Sequence, residues 1–313
     1  MFTTTAQRPL FLRFWQFLLE RFPPLQYTVT IALFSFSAIA YSRLSSGKSG
    51  FISLYDYAIG SFIVLTTFLL MRLYDEIKDY DDDVKYRKYL PLPRGLVRMS
   101  ELRRIITAII AVQITTLLAF QPAMVGLYAI VMSYLWLMNR EFFARQWLRR
   151  HPIVYLLSHM WIIPLIDLYS SGLDWQLEGT GWHNGLLWFL AVSYLNGIVL
   201  EVGRKIRAPA DEEPGVLSYT RRFGTRGGVY FWLIALATTA LVAIGAAHYA
   251  GYSPFVMLLL SLLSMALSLP AWSFLRHPSA LWSKRIEYAS ALWTLLMYGI
   301  LGAAPMIEQL LHI

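Results

Sequence analysis

The chain has 313 residues, 57% of them hydrophobic and only 15% charged, with a mean hydropathy of +0.49 and a formal net charge of +8. Soluble domains carry roughly 25% charged residues, and here the apolar residues come in blocks long enough to cross a bilayer, which excludes a water-soluble core as the main architecture. With no cysteine in the chain, disulfides, zinc–thiolate sites, iron–sulfur clusters and cysteine nucleophiles are excluded as well.

Residues 1–24 contain FLRFWQFLLERF, which interleaves bases with aromatics and lacks the clean apolar stretch and small-residue cleavage site of a signal peptide. This segment is expected to form an amphipathic helix on the membrane surface. Nine apolar runs follow, at 25–42, 51–71, 105–120, 122–138, 152–170, 184–200, 229–249, 252–275 and 287–306. At about 1.5 Å per residue these runs, with a few flanking residues, reach across about 30 Å of hydrocarbon. Only Gln121-Pro122 divides the third from the fourth, and proline there favours a turn because it cannot donate a backbone hydrogen bond. The expected fold is therefore all-α: a polytopic membrane protein with nine transmembrane helices around a central cavity, forming one membrane domain over residues 1–313.

Alternate connections hold 25 of the 27 Lys and Arg residues, and the other side has only Arg43 and Lys48. The positive-inside rule puts the N-terminus and the charged connections in the cytoplasm. The same bias accounts for the net charge without a nucleic-acid partner.

The connection at 72–104 opens with RLYDEIKDYDDDVKYRKYLPLPRG, which holds six acids. If the second helix continues through it at about 100° per residue, Asp75, Asp79, Asp82 and Asp83 share a face and Asp81 points elsewhere. Crowded carboxylates repel and raise each other's pKa. Magnesium relieves this, since it takes carboxylate oxygens and shares its shell with substrate phosphates. Lys78, Arg87, Lys88 and Arg94 are available for those phosphates. The plainer alternative is a solvated helix whose acids and bases pair with each other. The connection at 201–228 favours a site. There Glu201 closes the sixth span, Lys205 and Arg207 follow, and Asp211, Glu212 and Glu213 precede Pro214-Gly215. Two acidic clusters on one membrane face can hold two magnesium ions and a diphosphate between them.

These residues resemble the motifs of the UbiA-type intramembrane prenyltransferases. That family has nine helices, an N-D-x-x-D-x-x-x-D motif after the second helix followed by R-P-L-x-x-G, and a further Asp-rich motif after the sixth. The earlier motif is matched here by Asp75-Glu76-Ile77-Lys78-Asp79-Tyr80-Asp81-Asp82-Asp83, with Leu90-Pro91-Leu92-Pro93-Arg94-Gly95 behind it. The later motif resembles Ile206-Arg207-Ala208-Pro209-Ala210-Asp211, running on to Gly215-Val216. In this chain Asp75 replaces the usual Asn and Glu76 the next Asp, Leu90 replaces the Arg of R-P-L, and Arg207 stands where the later motif begins with Asp. The resemblance implies Asp75, Asp79, Asp83 and Asp211 as catalytic acids. It implies magnesium held by these together with Glu76, Glu201 and Glu212. It also implies an isoprenyl diphosphate as one substrate and a lipophilic, aromatic acceptor as the other, at a cytoplasmic active site in the plasma (inner) membrane.

Three further residues stand out. Asn196, on the cytoplasmic half of the sixth span, either orients a substrate or bonds another helix. Arg140 ends the fourth span and is a candidate phosphate contact. His159 is either a base or a packing residue. The expected activity is magnesium-dependent prenyl transfer within the membrane. A terpene cyclase using the same site is the enzymatic alternative. A cation-binding transporter is the alternative of another class, disfavoured because the acids cluster at one membrane face.

Overall fold

In the computed structural model, residues 8–212, 215 and 218–311 are described, and among these the chain is helical with no strand. Surface helix α1 (Leu10–Arg21) leads into α2 (Pro24–Ser45), α3 (Leu54–Lys78) and short α4 (Tyr80–Tyr86). Next come α5 (Met99–Phe120), α6 (Val125–Asn139), α7 (Arg145–Arg150), α8 (Pro152–Met160) and α9 (Ile162–Trp175). The chain ends with α10 (Gly185–Gly203), α11 (Tyr219–Tyr249), α12 (Pro254–Arg276), α13 (Ala280–Tyr298) and α14 (Ala304–Leu311). Nine helical segments among the described residues are long and apolar enough to cross a membrane, and each corresponds to one of the runs read from sequence. The protein is an integral, multi-pass membrane protein.

The helices exceed the apolar runs chiefly on the charged face. There α3 continues to Lys78, α5 starts at Met99 and α11 at Tyr219. A hydropathy reading stops at the first charges, whereas Glu, Lys and Arg are good helix formers and carry the helix on into the interface. Part of the connection expected at 201–228 is thus the first turns of α11, redirected at Gly224, whose φ of 75° suits glycine. Within the fifth span the helix restarts at Trp161 because Pro164 has no N–H for the Met160 carbonyl.

Helix α2 packs against α3, α9, α10 and α13; α5 and α6 lean on α3 and α9, and α12 closes against α11 and α13. A single turn of π-helix, Gly299–Ala303, lets the ninth span press on α2. A Cβ on Gly302 would lie 2.4 Å from the Ser37 carbonyl oxygen, so only glycine fits there. Gly302→Ala is expected to cost about 1–3 kcal/mol of stability through this backbone clash. Gly299→Ala, three residues away with open space around it, provides the control. Unfolding midpoints in detergent decide the matter, and equal values for both variants would refute the close approach.

On the face opposite the charged connections, Arg43 and Lys48 are neutralised. Both reach Asp174 Oδ1 at 2.9 Å, Ser42 donates to its other oxygen at 2.6 Å, and Glu178 completes the group. Asp174 is fully buried. The two bases on that face are therefore tied into one ionic knot.

Candidate active site

The charged face gathers the ends of α3, α8, α10 and α11. From α3, Lys78 Nζ donates to Tyr155 Oη at 3.0 Å and lies 3.5 Å from Asp75 Oδ1. Tyr155 stacks on His159 with ring centroids 3.8 Å apart, because the two are one turn apart on α8. His159 Nδ1 sits 2.8 Å from the Tyr155 carbonyl oxygen, which leaves a buried Nε2 with no partner among the described residues. From α10, Glu201 is paired with Arg204 and, at 2.6 Å, with Lys205. The Arg204 guanidinium is held above its ordinary value by Glu201 first, with Asp75 and Tyr27 adding to the effect. Asp75, Lys78, Tyr155, His159, Glu201 and Arg204 thus form one electrostatic group.

Asp79 sits at the joint between α3 and α4, with φ −90° and ψ 2°. Burial pushes its carboxyl up from the ordinary aspartate value, Asp75 and Asp83 push the same way, and Lys78 and Arg87 oppose them. A half-buried carboxylate between two others is a place that favours a cation.

The shared face read from an ideal helix is divided. Asp83 lies about 80° from Asp75 but only about 20° from Glu76 at 100° per residue. Accordingly Asp83 and Glu76 are buried together on the side of α1. Glu76 takes Arg21 at 2.6 Å, and Asp83 takes Arg87 at 2.5 Å. Asp82 pairs with Arg149 at 2.9 Å. Only Asp75 and Asp79 remain directed at the central group.

The motif after the sixth span also departs from expectation. Asp211 and Glu212 line a cavity of about 700 Å³ with Arg207, Lys284 and Glu287, between the 206–212 turn and the start of α13. Glu212 accepts hydrogen bonds from Ser218 at 2.6 Å and Thr220 at 3.0 Å. Gly215 abuts Tyr86 of α4, so the two connections meet there, and among the described residues no group of three potential metal ligands is assembled. Glu213, Pro214 and Val216 lie outside the described residues.

Of the expected phosphate contacts, Lys78 belongs to the central group. Lys205 serves Glu201, Arg87 serves Asp83, and Arg94 reaches Glu20 at 2.6 Å. Lys88 is exposed. Arg140 packs over Trp136 and lines a separate cavity. Asn196 is buried and accepts from Thr294 Oγ1 at 3.1 Å, a bond between helices. Leu90 is buried in the hydrophobic part of its turn. Where α3, α6 and α9 meet there is a void of only about 10 Å³. Neither Arg204 nor Tyr155 is among the site residues expected from the sequence. One signal for Tyr155 was present: a phenol one turn before His159 on a membrane helix.

No family model matches the sequence, and no curated protein does. Two solved structures share the fold. One is the apo structure of a UbiA homolog from Aeropyrum pernix K1, with a TM-score of 0.64 at 17% identity, covering 89% of this chain and 97% of that one. The other is a structure reported for digeranylgeranylglyceryl phosphate synthase in membranes, with a TM-score of 0.59 at 13% identity, covering 90% of this chain and 99% of that one.

Proposed function

We propose that the protein transfers an isoprenyl group from an isoprenyl diphosphate to a lipophilic acceptor within the membrane, in the presence of magnesium. The observation that carries this reading is the meeting of Asp75 and Asp79 with Lys78 and Arg204 at the ends of membrane helices. A diphosphate at that level would leave its hydrocarbon chain in the apolar bundle. A shared fold with a UbiA homolog and with a prenyl-lipid synthase agrees with it.

The residues present suit one metal ion. Magnesium asks the protein for one or two carboxylates and takes the rest of its shell from water and phosphate. Asp75, 44% exposed at its side chain and 3.5 Å from a single ammonium, and Asp79 beside it meet that demand. They do not suit a second ion, since Glu201 is occupied by Arg204 and Lys205. When bound, magnesium neutralises the diphosphate and makes it a better leaving group. Lys78, fixed by Tyr155, and Arg204 hold diphosphate oxygens as their charge grows on bond cleavage. The apolar helices exclude water from the allylic cation. The unpartnered Nε2 of His159 receives the proton that the acceptor loses.

Purified protein incubated with a panel of isoprenyl diphosphates, with and without membrane lipid extract, tests the reading by mass spectrometry. The expected result is a prenylated lipid that forms only with extract and disappears on chelation with EDTA. A cyclised hydrocarbon formed without extract would replace transfer by cyclisation. Absence of turnover with every donor would overturn the enzymatic reading.

We also propose that the charged face is cytoplasmic, from the distribution of bases. Single cysteines placed at Asp82 and Asp211 in this cysteine-free chain should resist a membrane-impermeant thiol reagent in intact cells and react after permeabilisation. Labelling in intact cells reverses the orientation.

A further inference from the structure

Lys78 also lines another cavity of about 590 Å³, between the charged-face ends of α3, α5 and α6. Its polar lining is Lys78, Arg103, Arg140 and Arg145 against Asp81 and Glu141. Glu141 is 5% exposed and committed to Arg145 at 3.2 Å, and Lys78 is committed to Tyr155 and Asp75. Arg103 and Arg140 have no acidic partner among the described residues. Asp81 is the one carboxylate of the lining that no base takes up among the described residues, so the concave site keeps an excess of positive charge carried by two guanidinium groups outside any ion pair.

The depth of the site is informative. Lys78 is the last residue of α3, Arg140 follows the last residue of α6, and Arg103 lies in the first turns of α5. All three stand where the spans leave the hydrocarbon, the level of lipid phosphates. Arg103 and Thr107, one turn apart on the exposed face of α5, put the mouth on the lipid side, and Ile106 lines the cavity one residue from Thr107. At the end of α6, Trp136 and Phe143 pack edge to face with centroids 5.6 Å apart and stay exposed, as interfacial aromatics do. The chain turns between Arg140 and Arg145 through three residues of positive φ, Glu141 (47°), Phe142 (51°) and Phe143 (58°), which brings both arginines to the same cavity.

We infer that this cavity binds the phosphate headgroup of a membrane lipid, whose acyl chains run down the lipid-facing surface of α5 and α6. Guanidinium groups bind phosphate oxygens through paired N–H donors, and basic pockets between membrane helices at this depth suit anionic headgroups. The site does not depend on the transferase reading and is tested by binding alone.

The full-length protein in detergent is titrated with dioleoyl phosphatidate and followed by native mass spectrometry. At about a fivefold loss per base at a membrane surface, the Arg103→Gln/Arg140→Gln pair is expected to weaken binding about 25-fold. Thr107→Trp, which fills the mouth and leaves every charge in place, should also weaken it. Arg150→Gln, an exposed base that does not line the cavity, should leave it unchanged. Inorganic phosphate at the same concentration should not displace the lipid, and dioleoylglycerol should not bind. Equal losses for Arg150→Gln and the double variant would reduce the effect to a diffuse basic belt and overturn the site. Displacement by inorganic phosphate at equal concentration would make it a site for a soluble anion instead. If the double variant fails to fold, Thr107→Trp decides the question, and unchanged binding by it overturns the proposal.

Discussion

Asp79→Asn is expected to lower turnover by about 10²–10³, the usual cost of removing one group that acts on developing charge. The substitution keeps the shape of the side chain at the α3–α4 joint and removes only its charge. Burial, Asp75 and Asp83 all disfavour that charge, with Lys78 and Arg87 opposing them, a strain that a bound cation would relieve. Higher magnesium should recover part of the loss, because Asp75 remains as a ligand. The informative contrast is Asp211→Ala. By resemblance to the Asp-rich motif after the sixth helix it should be as severe, yet Asp211 lines a cavity in which Lys284 is taken by Glu287, and the expected change is less than about threefold, the scale of a weak surface charge interaction. Turnover and magnesium dependence of both variants, measured on protein shown to be folded, settle the assignment. Asp79→Asn with near-normal turnover would remove the metal site from α3.

Asp174→Ala is expected to produce the largest loss of stability, about 3–5 kcal/mol, as when one partner of a buried ion pair is removed. Its carboxylate is fully buried and receives Ser42, Arg43 and Lys48. Without it, the 9%-exposed Arg43 side chain keeps Glu178 but loses its contact with α9. Asp174→Asn, which can still accept from Ser42, should lose less. Because the cluster lies on the face opposite Asp79, turnover per folded molecule should not change. Denaturant unfolding in detergent provides the measurement. A loss below about 1 kcal/mol would mean that Glu178 alone suffices for both bases.

Much of this architecture is written in the chain itself. In hydrocarbon every backbone polar group must be satisfied within its own helix, so a run such as 252–275 has one structural solution wherever its neighbours lie. The same one-dimensional logic applies to Pro122, which separates two spans because a missing N–H is a local fact. The acids at 75–83 also declared themselves locally, since so dense a cluster at the end of a membrane helix calls for counter-charges.

Which counter-charges meet which acids was decided by tertiary structure. Arg21 comes from α1 to Glu76 and Arg149 from α7 to Asp82, and no spacing along α3 announces either partner. Asp83 was grouped with Asp75 because both lay within a broad arc; packing of α1 split that arc and left Asp75 and Asp79 facing Lys78, Tyr155 and Arg204. Little along the chain marks Tyr155 beyond its place one turn before His159. It became part of the site only when α8 placed its hydroxyl 3.0 Å from Lys78. Arg43 and Lys48 were exceptions to a charge bias until α9 brought Asp174 to them. Helix formation depends on neighbours within a few residues. Ion pairing joins residues as distant in the chain as Arg43 and Asp174, 131 positions apart, and only the packed bundle brings such groups within reach of each other.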